Sequence, residues 1–240
     1  MRPLTAARLL KVWERASQRT AVERALLLLA AACPENAVDE LARLSIGERD
    51  SLLIALREWT FGPQFVARVP CAKCGEPLEV AFNVADIRLD SPPQPESFSV
   101  DSDGYEVHFR LPNSEDVTLA CDLDNAEQAL LQRCVLRVTK DGAESFPQDL
   151  PPEIAAIINA RMAAADPQAR VEIALSCVAC RHKWSLGFDI VQYFWNEINA
   201  WANRMLREVH AIASAYGWRE EEILSLSPRR RQFYVDLIGG

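Results

Sequence analysis

Two pairs of cysteines are the residues whose type and spacing point most directly to chemistry. Cys71 and Cys74 form one C-x-x-C turn, and Cys177 and Cys180 form another. A two-residue gap lets both thiolates of a tight turn face one ion, and two such turns complete the tetrahedral four-thiolate shell typical of Zn2+. We therefore predict one zinc ion held by these four cysteines. Four thiolates leave no open coordination position, so the predicted role of the metal is structural.

A redox function and a different set of metal ligands are the alternatives for these cysteines. A redox C-x-x-C normally opens a helix, whose dipole lowers the pKa of one thiol, whereas strand-like alternation follows both turns here. His182 lies two residues after Cys180 and is an alternative ligand. The remaining cysteines, Cys33, Cys121 and Cys134, fall on apolar faces and are predicted to be small core residues.

The segments around the cysteines predict a β module. Alternation at Leu78, Val80, Phe82 and Val84 indicates a half-buried strand after the first turn. The long insert before the second turn contains a proline-rich linker at 90–97 and a β-hairpin at 98–111. Helical spacing follows at 122–138 and 151–163. The sequence thus predicts a zinc ribbon split by a hairpin and a helical insert.

Helices are predicted on both sides of this module. Residues 4–33 predict one or two helices, and Ser45 begins a capping box for a helix that Gly62 ends. Apolar residues recur at helical spacing over 190–216, and short helices are predicted after Gly217. The predicted class is α+β, mainly helical, with three regions: 1–62, the zinc-ribbon β module 63–188, and 189–240.

Composition and charge restrict the class of partner. The chain carries 26 basic and 34 acidic residues, a net charge of -8, which disfavours nucleic acid and anionic lipid. The longest apolar run, 25–33, is too short to span a bilayer. The N-terminus has no apolar core typical of a secretory signal, so residence in the cytoplasm is expected.

Enzyme signatures are missing from the sequence. There is no G-x-S-x-G, Walker loop, G-x-G-x-x-G or H-E-x-x-H, and no nucleophile can be paired with a base. We predict a protein that is not an enzyme and has no small-molecule substrate.

The basic run Arg229–Arg231 opens the last predicted helix, where cations oppose the helix dipole. Three interpretations are open: a face that is solvated or paired within the chain, with Glu220–Glu222 nearby; a docking patch for an acidic protein; or a contact with nucleic acid.

Motifs spread over most of the chain resemble a known family. They are Leu44 to Asp50, Cys71 to Gly75, Phe109 to Pro112 with Asp116, Cys177 to Cys180 with Trp184 and Phe188 to Ile190, Tyr216 to Trp218 with Glu222 to Leu224, and Arg229 to Tyr234. This pattern resembles the baseplate hub assembly proteins of T-even-type contractile phages and related contractile injection systems. Only part of that family has the cysteine pairs, so zinc rests on the spacing in this sequence.

The resemblance implies a non-enzymatic protein that helps to build the hub of a tail baseplate. It would act as a transient chaperone that covers apolar surface on a hub protein, or as a component retained in the particle. Trp201, Trp218, Arg230 and Tyr234 are the candidate partner-binding residues, because Trp, Tyr and Arg dominate interface energetics. A zinc-ribbon nucleic-acid-binding module is a lower-ranked alternative, since it would need a basic face.

Overall fold

The computed structural model describes residues 1–89, 95–121 and 123–239. Its helices are α1 (Ala6–Ala16), α2 (Ala21–Ala32), α3 (Val38–Arg43), α4 (Ile46–Phe61), α5 (Val84–Ile87), α6 (Ser114–Ala120), α7 (Ala126–Cys134), α8 (Pro152–Ala165), α9 (Ile190–Tyr216), α10 (Glu220–Ser225) and α11 (Pro228–Gly239). Its strands are β1 (Gln64–Pro70), β2 (Pro77–Asn83), β3 (Phe98–Ser102), β4 (Tyr105–Phe109), β5 (Val135–Lys140), β6 (Ala143–Ser145), β7 (Val171–Ser176) and β8 (Lys183–Phe188). The fold is α+β and mainly helical, as predicted.

The chain divides into two compact units. The first contains residues 1–35 and 190–240, and the second contains residues 36–189. The sequence-based division at 62 and 188 stays a prediction. Of the helices in the described ranges, none is long and apolar enough to cross a membrane.

The first unit is a group of helices around α9. Thr20 accepts a hydrogen bond from the Glu23 amide at the start of α2, which completes a capping box. The predicted periodicity of α9 is confirmed: most of its apolar positions from Ile190 to Ile212 are buried, Trp201 is half-buried, and only the last, Tyr216, is exposed. Gly217, with φ of +69°, follows the end of this helix. One face of α9 therefore supplies about half of the buried apolar residues of this unit, and α1 and α2 supply most of the others.

The second unit contains a four-stranded antiparallel sheet in the order β3-β4-β5-β6. Its core includes Phe109 of β4, Leu131 of α7 and Ile158 of α8. The hairpin predicted at 98–111 is confirmed as β3 and β4. The predicted linker at 90–97 lies partly outside the described residues, which omit 90–94.

One predicted element and one predicted core residue are wrong. The helix predicted over 122–138 ends at Cys134, because Val135–Lys140 pairs with β4 and then turns through Asp141 and Gly142 into β6. Cys33 and Cys134 are buried as predicted, but Cys121 is exposed at the end of α6.

Helix α4 leads into the first cysteine hairpin. The predicted capping box at Ser45 and Glu48 begins this helix, and Gly62, with φ of +90°, ends it. The buried Arg57 guanidinium donates to the carbonyls of Gly62 and Gln64, each at 2.7 Å. It also lies 3.9 Å from the Phe65 ring centroid. Arg57 therefore fixes the backbone where helix becomes strand.

Two separate hairpins carry the cysteines. β1 pairs with β2, and β7 pairs with β8, each as a two-stranded antiparallel sheet. Leu78, Val80, Phe82 and Val84 are turned inward, which confirms the predicted alternation.

Candidate functional site

The tips of the two hairpins bring four thiols together. Cys71, Cys74, Cys177 and Cys180, here called the cysteine cluster, have sulfur atoms that all lie within 4.8 Å of one another. The Sγ atoms of Cys71 and Cys180 are 3.7 Å apart, as are those of Cys74 and Cys177. Four sulfurs at about 2.3 Å from one tetrahedral ion would lie about 3.8 Å apart. The cysteine cluster thus has dimensions that fit a single metal ion.

The two hairpin tips have the same backbone plan. In the first, the Cys71 amide donates to the Glu76 carbonyl and the Gly75 amide donates to the Cys71 carbonyl. In the second, the Cys177 amide donates to the His182 carbonyl and the Arg181 amide donates to the Cys177 carbonyl. Each tip therefore presents its two sulfurs to the same side of a closed turn.

Aromatic rings join the hairpins at the end away from the sulfurs. Phe65 and Phe82 stack at 4.9 Å between ring centroids, and Phe188 meets both edge-on at 5.4 Å. We call these three residues the aromatic base. Leu78 and Trp184 pack beside the cysteines. The hairpins therefore meet at both ends, through aromatic packing at one and through sulfur atoms 3.7 Å apart at the other.

The thiols of the cysteine cluster differ in their tendency to ionise. Burial opposes ionisation of Cys71, but donation from the Cys74 and Lys73 amides and from neighbouring thiols lowers its pKa to about 6. At Cys74, the Glu76 amide favours the thiolate, but the neighbouring sulfurs and burial raise the pKa to about 12. The same cluster therefore stabilises one thiolate and opposes another. A divalent cation removes this conflict, because it neutralises thiolates that otherwise repel each other.

The alternatives for the cysteines can be compared with this geometry. Both turns lead into strands, and neither opens a helix of the kind that activates a redox thiol. The His182 ring stacks on Trp184, with centroids 5.6 Å apart, and His182 is not in the cluster. Within the ranges that the structure describes, no other group of three or more His, Cys, Asp or Glu side chains is close enough to hold an ion.

Comparison with known families decides the relationship. A family model described as T4 bacteriophage base plate protein matches residues 4–195. The chain belongs to this family. The resemblance seen in the sequence is thus confirmed at the level of a T4-type baseplate family. No curated protein and no solved structure matches the chain.

The candidate partner-binding residues of this base plate protein lie in the first unit, beyond the matched range. Trp201 is half-buried on α9, next to the cluster of Leu10 and Met205. The rings of Trp218 and Tyr234 meet edge-on with centroids 4.9 Å apart, and both are half-buried. Arg230 is exposed. The structure brings Trp218 and Tyr234 together; Arg230 lies on the same helix as Tyr234.

Sequence reasoning missed the residue that anchors α11. Arg231 is 4% exposed and donates to Glu208 at 3.2 Å and to the Leu226 carbonyl at 2.6 Å. The sequence suggested Glu220–Glu222 as partners of the basic run, yet the structure pairs Arg231 with α9. The only signal was the position of Arg231 three residues before Tyr234, on the inner side of the helix.

Proposed function

We propose that this base plate protein is a non-enzymatic assembly factor for the hub of a contractile tail or contractile injection system. It would act in the cytoplasm of the producing cell by binding other baseplate proteins. The observation that carries this proposal is the family match over residues 4–195. Covering apolar surface on a hub subunit would suppress off-pathway association until the hub closes.

The cysteine cluster would support this function as a structural metal centre. In the proposal, Cys71, Cys74, Cys177 and Cys180 hold one Zn2+, which supplies a closed tetrahedral link between the hairpins. Sulfur separations of 3.7 Å support this assignment. A two-stranded hairpin is marginal by itself in water, so the link would keep the β module in one conformation.

Binding to the partner would centre on the C-terminal helices. Trp201, Trp218, Arg230 and Tyr234 are the proposed anchors. Their solvent exposure supports this choice. Arg230 is exposed, and the three aromatic side chains are half-buried and retain surface for a partner. Rings that are already packed lose little conformational freedom when they bind.

A retained structural component is the second candidate. The description of the matching family names a base plate protein, which suits a subunit that stays in the particle. The two candidates differ in when the protein is bound.

Affinity capture from cells that assemble the particle would test both. The tagged chain should capture hub proteins from the lysate and be absent from finished particles if it is a chaperone. A fixed number of copies in purified particles would instead identify a retained component. Capture of no baseplate protein, together with absence from particles, would refute both.

The metal assignment has its own test. The purified chain should contain one equivalent of zinc by elemental analysis, and Cys74→Ser should lose it. Cys121→Ser is the matched control, because Cys121 is an exposed cysteine outside the cluster. An unchanged zinc content in Cys74→Ser would show that the assignment is wrong.

A further inference from the structure

Helix α11 has two faces with different roles. On the inner face, Arg231 is bound to Glu208, and Tyr234 and Val235 pack against the core around Ile212. On the outer face, Phe233 and Leu237 are 61% and 58% exposed. The buried ion pair holds the helix in place. Its outer face is thus presented as a fixed surface.

The outer face carries an apolar stripe with a basic end. Arg229, Phe233 and Leu237 follow one another at intervals of four residues, so they share one side of the helix, and Arg230 lies beside them. We call these four residues the α11 stripe. Within 1–89, 95–121 and 123–239, neither the Arg229 nor the Arg230 side chain has an ion-pair partner. Cations at a helix N-terminus oppose the dipole, so two unpaired arginines there are unfavourable without an external acidic group.

The same unit contains a groove of opposite charge. It lies between α1 and α10 and encloses about 700 Å3. Ala7 and Leu224, both half-buried, form its accessible apolar part, and the exposed Glu14, Glu220 and Glu221 lie along it, with Lys11 as the cation. None of these three carboxylates forms an ion pair with any residue that the structure describes. We call this surface the α1–α10 groove.

We propose that the α1–α10 groove binds the α11 stripe of a second copy of this chain. Phe233 and Leu237 would cover Ala7 and Leu224, and the two arginines would meet the unpaired glutamates. Charge complementarity favours a second copy as the partner. Every copy has both surfaces, and each surface has unpaired charges beside apolar side chains. The exposure of Phe233 and Leu237 shows that the α11 stripe does not fill the groove of its own copy.

Such a contact is heterologous, since two different surfaces meet. Each copy keeps a free stripe and a free groove after one contact, so association continues to a closed ring or an open chain. This contact shares Arg230 with the proposed hub contact, but its test uses the purified protein alone. Failure of hub capture and failure of self-association are therefore separate outcomes.

Charge reversal with analytical ultracentrifugation tests the contact. At about 0.15 M salt, the parent chain should form species larger than a dimer as concentration rises. Arg229→Glu/Arg230→Glu should weaken association by roughly tenfold or more, because like charges then meet. Glu220→Arg/Glu221→Arg should do the same. The control Arg204→Glu/Arg207→Glu changes the charge equally on exposed positions of α9 and should associate like the parent.

Restoring association by mixing the two variants distinguishes a lost contact from a folding defect. Acidic residues at the start of α11 favour the helix dipole, so the Arg229→Glu/Arg230→Glu variant should keep its helix content by circular dichroism. Mixing the stripe variant with the groove variant should restore association, because reversed charges then meet their complements. A parent that stays monomeric up to about 100 µM would overturn the proposal. A groove variant that associates like the parent, as a stripe-to-stripe dimer would, also overturns it.

Discussion

The two cysteine hairpins share one plan but differ at the residue after the second cysteine. That residue is Gly75 in the first hairpin, with φ of +76°, and Arg181 in the second, with φ of +59°. A left-handed conformation costs an L-residue roughly 1–2 kcal/mol, and glycine avoids this cost. The second hairpin thus accepts strain to follow the same path. The difference teaches that sulfur placement, more than local backbone preference, determines the path of these turns.

The equivalent positions are also related across the cysteine cluster. The first cysteine of each hairpin is buried, and sulfur contacts of 3.7 Å join the first cysteine of one hairpin to the second cysteine of the other. This cross-pairing is what an approximate two-fold relation between the hairpins produces. In the part of the chain that the structure describes, each hairpin is a sheet of two strands, and two strands alone are marginal. The proposed metal would therefore act locally, on two hairpins that are weak by themselves, although the chain has a good core elsewhere.

Loss of the proposed metal should lower stability more than any other change. The loss should be equal whether the substituted cysteine lies in the first hairpin or in the second. Cys71→Ser and Cys177→Ser should each release the zinc and remove most of a metal-binding free energy of order 10 kcal/mol. The measurement is zinc content together with hydrogen exchange of the β1–β2 and β7–β8 amides. Cys121→Ser should change neither. Retention of zinc by one of the two variants alone would break the equivalence of the hairpins.

Disruption of the aromatic base should lower stability without affecting the cysteine cluster at the other end of the hairpins. Phe65 is fully buried under Arg57 and against both other rings, so Phe65→Ala should lower the free energy of unfolding by about 3–5 kcal/mol. The zinc content should stay at one equivalent, because the sulfurs lie at the opposite end. Phe146→Ala is the control, since that ring is 61% exposed. Loss of zinc from Phe65→Ala in a folded protein would mean that the ends are not independent.

The hairpins also show what a sequence reveals about such a site. The C-x-x-C spacing indicated which four side chains could meet, because a two-residue gap has few geometric outcomes. The aromatic base was not predicted. Phe65, Phe82 and Phe188 lie in different strands, and no spacing rule relates residues whose contact depends on how two separate hairpins pack.

Errors elsewhere have a similar origin. The helix predicted over 122–138 agrees with α7 only from Ala126 to Cys134 and is wrong afterwards, because Val138 fits helical spacing and strand pairing equally well. The Asp141-Gly142 pair was the missed signal, since both residues adopt positive φ in the turn to β6. Helix α4 was predictable from its capping box and the Gly62 stop, and α9 from the periodicity of its apolar residues.

Substitutions at the two left-handed positions, Gly75 and Arg181, should have smaller effects. The free energy of unfolding should fall for one substitution and rise for the other. Gly75→Ala should lower stability by about 1–2 kcal/mol through backbone strain alone, because nothing lies within 4 Å of the added Cβ. Arg181→Gly should raise it by up to about 1 kcal/mol. Urea unfolding of the zinc-loaded proteins measures both. If both substitutions changed the free energy of unfolding in the same direction, the two turns would not share the same backbone constraint.

The smallest expected effect concerns the next position, where the hairpins differ in side chain but not in backbone role. His182 and Glu76 both accept the amide of their first cysteine through the carbonyl, but only His182 stacks on an aromatic ring, that of Trp184. His182→Ala should lower stability by about 0.5–1 kcal/mol through the lost ring contact, and Glu76→Ala should have almost no effect. Both variants should keep one equivalent of zinc. Loss of zinc from His182→Ala but not from Glu76→Ala would make the histidine a ligand, and the second hairpin would then differ from the first in its chemistry.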